Sequence, residues 1–422
     1  MGKYNEYKDS GVQWLGEIPS HWKIRRIKWL FREEDEKNVN LTYQLLSFSR
    51  NKGIIPFSAI NEKAPSASDL SKYKVLHEGQ LLENRMQAWS GMFGCSHIEG
   101  CVSPDYSVFS PYDSNVVTEY YACLFRIPIF VQQFANASKG IGDGFNRLYT
   151  PQFHKIYAIV PSTIEQHAIV FYLDTKCSKL DMFISNKEKE ITLLQEMKQR
   201  VITDAVTRGL NPNVKFRSTN IPWLPEIPEY WKIKRAKNMF KKEQRPILYD
   251  DEIVTCFRDG EVTLRKNRRT SGFTEATDYS HYQHICKGDL VIHQMDAFAG
   301  SSGVSDSDGM GTPVLSVCTP KIEGIDNYYY AHVLRIMGKN GFILSLYRGI
   351  RERSSDFRFD TFIKQWLPVP PIEEQHAIVS YITERVAKID SLIEKLNKEI
   401  ECIKEYKQRL ISDVVTGQIK VS

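Results

Sequence analysis

At 422 residues, with 42% hydrophobic and 12% aromatic side chains, the chain can bury a core in each of two or three domains, which excludes a disordered protein. The polar N-terminus and the lack of a long apolar run predict a cytoplasmic location, and eight cysteines without a C-x-x-C pair predict free thiols and no metal site. A formal net charge of +5 does not by itself indicate a nucleic-acid partner. Whether the chain binds nucleic acid has to be judged from the positions of the charged residues.

The first motif of the chain, WLGEIP at Trp14–Pro19, recurs as WLPEIP at Trp223–Pro228, 209 residues later. The same shift maps EQHAIV at Glu165–Val170 onto Glu374–Val379. A self-match at a fixed spacing marks an internal repeat. The sequence therefore predicts two tandem copies of one unit, each a globular domain followed by a long helix.

A basic and apolar alternation follows this motif in both copies, as HWKIRRIKWLF from His21 and YWKIKRAKNMF from Tyr230. One face of such a segment carries cations and the other packs inward, which suits a segment that lies beside phosphates. An ordinary solvated surface is an equally good interpretation of the same pattern.

The middle of each copy is rich in glycine, serine and aromatic residues, with short β-prone runs such as YQLLSFS from Tyr43. This composition predicts short strands and few helices. The glycine-containing segments at Trp89–Gly94 and Phe298–Gly303 occupy equivalent positions in the repeat. We therefore interpret them as a structural turn of the unit rather than as a cofactor loop.

Loops that carry arginine and aromatic residues on a rigid domain suit DNA groove readout, because a planar guanidinium can bond a guanine edge with two hydrogen bonds. In the second copy, the densest cation cluster outside the helices is the loop RKNRR at Arg265–Arg269. For any single residue, a plain solvated loop is the alternative. The candidate DNA-binding residues are Arg50, Lys52, Arg85, Gln87, Trp89, Lys139, Arg147, Arg258, Arg265, Lys266, Arg268, Arg269, Gln294, Arg348, Arg351 and Arg353.

Each copy ends in a helix whose apolar residues follow the three-four spacing of a coiled coil. Ser162 and Glu165 form a predicted capping box at the first helix, and Gly209 and Gly417 mark the ends of the two helices. A helix packed on its own globular domain is the alternative. The predicted seam residues are Leu180, Ile184, Ile191, Leu194, Val201, Ile389, Ile393, Leu396, Ile400, Ile403 and Leu410.

On these residues the chain resembles the specificity subunit of a type I restriction-modification system. The resemblance rests on the WLGxIPxxW motif, the RMQAW and QMDAF turns, SPDYSVF from Ser103, and the proline, EQHAIV motif and helix that end each copy. TPVLSVC from Thr312 departs from the pattern. It implies an α+β fold with two mixed α/β target-recognition domains, at 1–160 and 211–369. Each is followed by a spacer helix, at 161–210 and 370–422, and the helices pair as an antiparallel coiled coil.

The resemblance also implies a function without catalysis. Each target-recognition domain would read one half of a split DNA sequence, and the different loops of the two domains make the target asymmetric. Two methyltransferase subunits and motor-nuclease subunits would dock on the chain, and S-adenosylmethionine, ATP and Mg²⁺ would bind to those partners. Alternatives are the specificity subunit of a type II-like methylase-nuclease, a coiled-coil adaptor that does not bind DNA, and a self-contained enzyme, which the missing catalytic motifs disfavour.

Overall fold

The structure is a computed structural model and describes residues 2–50, 52–59, 69–140, 146–272, 278–346 and 357–421. The chain divides into two compact units. Unit 1 comprises Met1–Glu188 and Asn397–Ser422, and unit 2 comprises Lys189–Leu396. Each unit thus takes its globular part from one half of the chain and a helical segment from the other half.

Unit 1 is built from short strands, turns and short helices. Its strands are β1 Tyr7–Asp9, β2 Glu17–Pro19, β3 Lys23–Arg26, β4 Phe31–Glu34, β5 Leu46–Ser49, β6 Gly53–Pro56, β7 Lys74–Leu76, β8 Leu81–Asn84, β9 Phe93–Cys95, β10 Gly100–Val102, β11 Tyr106–Pro111 and β12 Tyr157–Val160. Its short helices are α1 Thr118–Leu124, α2 Pro128–Ala137 and α3 Thr150–Phe153, and the long helix α4 Thr163–Arg208 begins in this unit.

A four-stranded antiparallel sheet with the order β4-β11-β8-β9 forms the centre of unit 1. Leu82 and Val108 are paired across its two inner strands and both are fully buried. The other strands form two-stranded ribbons, β1-β2, β3-β12, β5-β6 and β7-β10. Strands this short bury little surface alone, so the fold depends on the side chains packed between them.

Unit 2 repeats this arrangement. Its strands are β13 Phe216–Ile221, β14 Leu224–Pro228, β15 Lys232–Arg235, β16 Phe240–Lys242, β17 Val254–Cys256, β18 Val262–Leu264, β19 Gln283–Ile285, β20 Leu290–His293, β21 Ser302–Val304, β22 Gly309–Gly311, β23 Leu315–Pro320 and β24 Trp366–Val369. Its helices are α5 Asn327–Lys339, α6 Phe342–Ser345, α7 Phe359–Phe362 and the long α8 Ile372–Val415. The central sheet has the equivalent order β16-β23-β20-β21.

The two glycine-containing segments are structural turns, as interpreted from the sequence. A 3-10 turn at Ala88–Ser90 is followed by Gly91 with φ 82°, and the equivalent turn at Ala297–Ala299 is followed by Gly300 with φ 96°. Glycine adopts this left-handed conformation without the steric cost of a Cβ atom. The repeat therefore preserves a backbone requirement at this position.

Aromatic side chains fill the core of unit 1: the Phe93 and Phe153 rings stack with centroids 5.4 Å apart. The last turns of α8 add three buried side chains to this core, Leu410, Val414 and Val415. The core of unit 2 receives the equivalent turns of α4, with Ile202, Ala205 and Val206. The ends of the long helices thus pack on globular domains as well as on each other.

The two long helices run antiparallel. In unit 1, Lys187 Nζ lies 3.3 Å from Glu399, and Lys407 Nζ lies 2.6 Å from Asp181. The earlier of the two α4 residues therefore contacts the later of the two α8 residues, as expected for antiparallel helices. The Lys198–Asp390 ion pair of unit 2, at 2.7 Å, is the repeat equivalent of the Lys407–Asp181 pair. The predicted pairing of the helices is confirmed.

The predicted seam residues have low exposure throughout. The buried ones are Ile184, Ile389, Leu396, Ile400 and Leu410, and the half-buried ones are Leu180, Ile191, Leu194, Val201, Ile393 and Ile403. Lys187, which interrupts the apolar pattern in α4, is half-buried and extends its ammonium group to Glu399. Within the described residues, no helix is both long and apolar enough to cross a membrane.

Candidate nucleic-acid interface

The glutamate of the first EQHAIV motif fixes the start of α4 against the N-terminal motif of unit 1. Glu165 accepts hydrogen bonds from Trp22 Nε1 at 3.0 Å and from the Ser162 hydroxyl at 2.7 Å, and Nε2 of His21 lies 2.8 Å away. Burial by itself would raise the pKa of Glu165, but these hydrogen bonds outweigh it and lower the pKa to about 2. The predicted capping box is present, since Glu165 N also donates to the Ser162 hydroxyl.

Unit 2 uses the same motif in the same way. Glu374 accepts hydrogen bonds from Trp231 Nε1 at 3.0 Å and from Tyr230 OH at 2.9 Å. The following glutamine, Gln166 in unit 1 and Gln375 in unit 2, is fully buried, and its amide donates to and accepts from backbone groups. The repeated motif therefore has a structural role: it positions each globular domain on its helix.

In unit 1, several candidate residues lie together at the loop that follows β8. Arg50 Nη2 donates to the backbone oxygen of Ser90 at 2.8 Å and to its hydroxyl at 2.7 Å. The β5-β6 turn, which carries Arg50 and the exposed Lys52, therefore lies against this loop. Gln87 and Trp89 are exposed within the loop itself, and Trp89 donates its indole N–H to a backbone oxygen at 2.9 Å.

A second group in unit 1 is organised by Asp105. Arg85 Nε donates to its backbone oxygen at 2.8 Å, and Arg147 Nη1 lies 3.5 Å from its carboxylate. Reciprocal backbone hydrogen bonds of 2.9 Å join Lys139 to Arg147. Because Arg85 opens the loop that carries Gln87, the structure brings these cations next to the first group.

In unit 2, Arg268 and Arg269 have different surroundings. Arg268 Nη1 lies 2.7 Å from Asp259 and 2.8 Å from Glu261, and its guanidinium lies 4.2 Å from the centroid of the Phe257 ring. Arg269 donates to two backbone oxygens immediately downstream. The cluster predicted from the sequence therefore includes one arginine whose charge is partly neutralised within its own unit.

Arg265 and Lys266 lie in the 3-10 turn that follows β18. Lys266 forms an ion pair with Glu252, and Arg258 forms one with Asp296 at 2.9 Å. Intramolecular partners of this kind hold long side chains in fixed positions, although they also reduce the net positive charge of the surface.

The other candidates in unit 2 are Gln294 and three arginines. Gln294 follows β20 and donates its side-chain amide to the Ser316 hydroxyl at 3.1 Å. Arg348, Arg351 and Arg353 lie outside the residues that the structure describes. The contribution of these three arginines therefore stays a sequence prediction.

The candidate residues do not include a set of cations that the structure exposes on β3 and β15. These strands are the basic alternations that begin after His21 and Tyr230. The spacing of cations between apolar residues was the available signal, but a solvated surface has the same pattern. The structure adds the antiparallel pairing of these strands and the exposure of their cations.

In the described residues, one group has donor atoms suited to a metal ion: a ring nitrogen of His284, the Cys286 thiol and an Asp308 carboxylate oxygen lie within 4.8 Å of one another. Nδ1 of His284 also lies 2.9 Å from both carboxylate oxygens of Asp251. The group therefore has hydrogen-bond partners within the protein, and the absence of a metal site stays a prediction.

A search against models of known protein families gives no match. In an alignment 443 positions long, the chain is 22% identical to the putative type I restriction enzyme MjaX specificity subunit of Methanocaldococcus jannaschii, and 96% of each chain is covered. It is 24% identical over 293 residues to the MjaVIII specificity subunit of the same organism, covering 66% of each chain. It is 23% identical over 281 residues to the EcoBI specificity subunit of Escherichia coli, covering 62% of this chain and 58% of that one.

Solved structures share the fold. A chain from a structure concerned with complex assembly and conformational transition of the type I restriction-modification system aligns with a TM-score of 0.68 at 13% identity, covering 95% of this chain and 99% of that one. The HsdS subunit from Thermoanaerobacter tengcongensis aligns with a TM-score of 0.54 at 14% identity, covering 95% and 98%. Sequence and fold together confirm the predicted fold class and the predicted resemblance to type I specificity subunits.

Proposed function

We propose that this chain is the DNA-sequence-recognition subunit of a type I restriction-modification complex and that each globular unit reads one half of an asymmetric, bipartite target. Its similarity to the MjaX subunit along nearly its whole length, and the shared fold, support this proposal. Methyl transfer and cleavage belong to partner subunits, which would also bind S-adenosylmethionine, ATP and Mg²⁺. The chain supplies recognition and assembly.

The observation that carries the proposal is that equivalent turns of the two units have different side chains on the same backbone frame. After β6 of unit 1, a 3-10 turn at Phe57–Ala59 has the sequence FSA. After β18 of unit 2, the corresponding turn at Arg265–Asn267 has the sequence RKN. Two copies of one frame with different surface chemistry are suited to reading two different half-sites.

Fixed side chains support base readout within each unit. Arg50 and Arg85 donate hydrogen bonds to backbone oxygens of unit 1, so their guanidinium groups are ordered before any ligand binds. Ordering a long side chain in advance reduces the entropy lost on binding. We therefore propose that these arginines contact DNA from fixed positions.

The surface of α4 in unit 1 supports docking of a methyltransferase. Ile164, Phe171 and Met182 are 81%, 75% and 65% exposed. Their spacings of seven and eleven residues correspond to about two and three helical turns, so all three lie on one face of the helix. Exposed apolar side chains grouped in this way are typical of a protein-protein contact.

The experiment that tests the proposed function is selection of duplexes from a random DNA pool by the chain assembled with its methyltransferase. We expect retention that weakens with salt, and enrichment of one motif with two unlike halves separated by an unspecified spacer. A complex that retains no DNA would favour the coiled-coil adaptor. A palindromic or uninterrupted motif would contradict the assignment of one unlike half-site to each unit.

A further inference from the structure

Each unit carries a basic ribbon, which we define as β3 with β12 in unit 1, β15 with β24 in unit 2, and the residues next to these strands. The strands are antiparallel, with Arg26 opposite Tyr157 and Arg235 opposite Trp366. Cations occupy equivalent positions in the two ribbons. They are Lys23, Arg25, Arg26, Lys28 and Lys155 in unit 1, and Lys232, Lys234, Arg235, Lys237 and Lys364 in unit 2.

These cations lie on the surface of their ribbons. Lys234 is half-buried and the other members of the set are exposed. Among the residues that the structure describes, none of the set forms an ion pair with a carboxylate. The loop cations Lys266 and Arg268, by contrast, pair with acidic residues of their own unit. Within the part of the chain that the structure describes, the ribbons are therefore concentrations of positive charge without carboxylate partners.

The ribbons also hold their cations in place. The Arg26 guanidinium lies 5.2 Å from the centroid of the Tyr157 ring, and the Arg235 guanidinium lies 4.9 Å from the Trp366 ring. Stacking on an aromatic ring fixes the plane of a guanidinium and leaves its N–H groups available at the edge. The backbone of each ribbon is fixed as well, since Ile27 N donates to the backbone oxygen of Ile156 at 2.9 Å and Ala236 N donates to that of Gln365 at 2.9 Å.

The ribbons have the same chemistry in both units, whereas the turns that distinguish the units do not. A surface repeated position by position cannot discriminate between two different half-sites. It suits a ligand that is alike at both ends of a bipartite target. Duplex DNA offers such a ligand in its phosphates, which carry the same charge and spacing whatever the base sequence.

We propose that the two basic ribbons bind DNA phosphates independently of sequence, one ribbon for each half-site, while the loops of each unit read bases. This inference rests on the proposed function, because it assumes that the complex binds DNA. It assigns to the ribbons phosphate contacts that are equivalent at the two half-sites, and leaves the discrimination between half-sites to the loops.

The test uses the full chain assembled with its methyltransferase. One variant changes Lys23, Arg25 and Lys28 to glutamine and retains the stacked Arg26; a second makes the equivalent changes at Lys232, Lys234 and Lys237. The control changes three other exposed lysines of unit 1 to glutamine, namely Lys3, Lys8 and Lys72. Binding to a cognate and to an unrelated duplex is measured over a range of salt, together with thermal unfolding and the amount of bound methyltransferase.

We expect each ribbon variant to bind both duplexes more weakly by the same factor, with the slope of log affinity against log salt reduced by about 2.7 for three phosphate contacts. The ratio of cognate to unrelated affinity, the unfolding temperature and methyltransferase binding should match the control. Any change in that ratio, or loss of methyltransferase at unchanged DNA slope, would overturn the proposal in favour of base reading or protein docking. If the slopes are unchanged in a complex that binds DNA, the ribbon proposal fails and the proposed function stands. If the wild-type complex binds no DNA, both fail.

Discussion

Arg268 and Arg269 are neighbours in the chain, but their guanidinium groups have different partners. Arg268 pairs with Asp259 and Glu261 and lies over the Phe257 ring. It therefore links the turn that precedes it to residues 257–261 of unit 2. Arg269 donates to neutral backbone oxygens, which do not neutralise its charge. A simple count of cations in this turn would give both residues the same role, whereas their partners distinguish them.

We expect Arg269→Gln to weaken DNA binding by the complex on every sequence, and to lower the slope of log affinity against log salt by about 0.9, the value for one phosphate contact. Arg268→Gln should instead lower the unfolding temperature of unit 2, because it removes an intramolecular contact. Salt titrations of DNA binding and thermal unfolding separate the two effects. Equal slopes for both variants and the wild type would show that neither arginine contacts a phosphate.

His332 on α5 gives unit 2 a predicted pH dependence. Burial, and then the neighbouring Arg335 cation, lower the pKa of His332 from 6.5 to about 4. Between these two values the unfolded chain binds a proton that the folded chain does not. The stability of unit 2 should therefore fall as the pH drops from 6.5 toward 4.

His332→Cys places in unit 2 the residue that occupies the equivalent position in unit 1, Cys123. We expect this variant to lose most of the pH dependence of unit 2 in that interval, while its stability at neutral pH changes by a pH-independent amount. Urea unfolding at a series of pH values provides the measurement. The same pH slope in the wild type and the variant would mean that His332 takes up its proton in the folded state.

At the scale of elements, a glycine in the left-handed conformation follows each long helix and lies in a tight contact. Gly209 has φ 75° and Gly417 has φ 76°. A Cβ atom on Gly417 would lie 2.6 Å from Pro19 and 2.8 Å from the Trp22 ring. The end of α8 thus packs on the same tryptophan that Glu165 holds at the start of α4.

Gly417→Ala should lower the free energy of unfolding of unit 1 by more than the roughly 1–2 kcal/mol that the left-handed conformation alone costs an alanine. Gly16→Ala is the matched control, because Gly16 has φ 64° and a Cβ atom there would meet no atom within 4 Å. Chemical unfolding of both variants separates strain from steric overlap. Similar losses of unfolding free energy in the two variants would show that Pro19 and Trp22 move away from the added methyl group at little cost.

Local signals in the sequence were sufficient to place the long helices. The spacing of apolar residues predicted the helix pair, Ser162 and Glu165 form the predicted capping box, and the glycines mark the ends. Tertiary partners were not predictable in this way. Trp22 and Glu165 are 143 residues apart, and no local pattern shows that they meet. For the same reason, the sequence did not show which loop cations are neutralised and which ribbon cations are not.

At the scale of the whole molecule, each unit is completed by a helix end from the other half of the sequence. Tyr120 OH donates to the backbone oxygen of Val415 at 2.8 Å in unit 1, and Tyr329 OH donates to that of Val206 at 2.8 Å in unit 2. Both valines are fully buried. The stability of each unit should therefore depend on a segment that is distant in the chain.

We expect Val415→Ala to destabilise unit 1 and Val206→Ala to destabilise unit 2, each by roughly 2 kcal/mol, because two buried carbon atoms are lost and a small cavity remains. Hydrogen exchange followed by mass spectrometry reports the two units separately, and each variant serves as the control for the other. Faster exchange confined to residues 211–369 for Val415→Ala, or to residues 2–160 for Val206→Ala, would contradict this assignment.

The central claim is that one chain directs a complex to a DNA sequence with two unlike halves. Mapping adenine methylation across the genome of cells with and without the gene tests this claim most directly. We expect one motif to lose its methylation in the deletion strain, and that motif should be split by an unspecified spacer into two different half-sites. An unchanged methylation pattern, or the loss of a motif with identical inverted halves, would contradict the account.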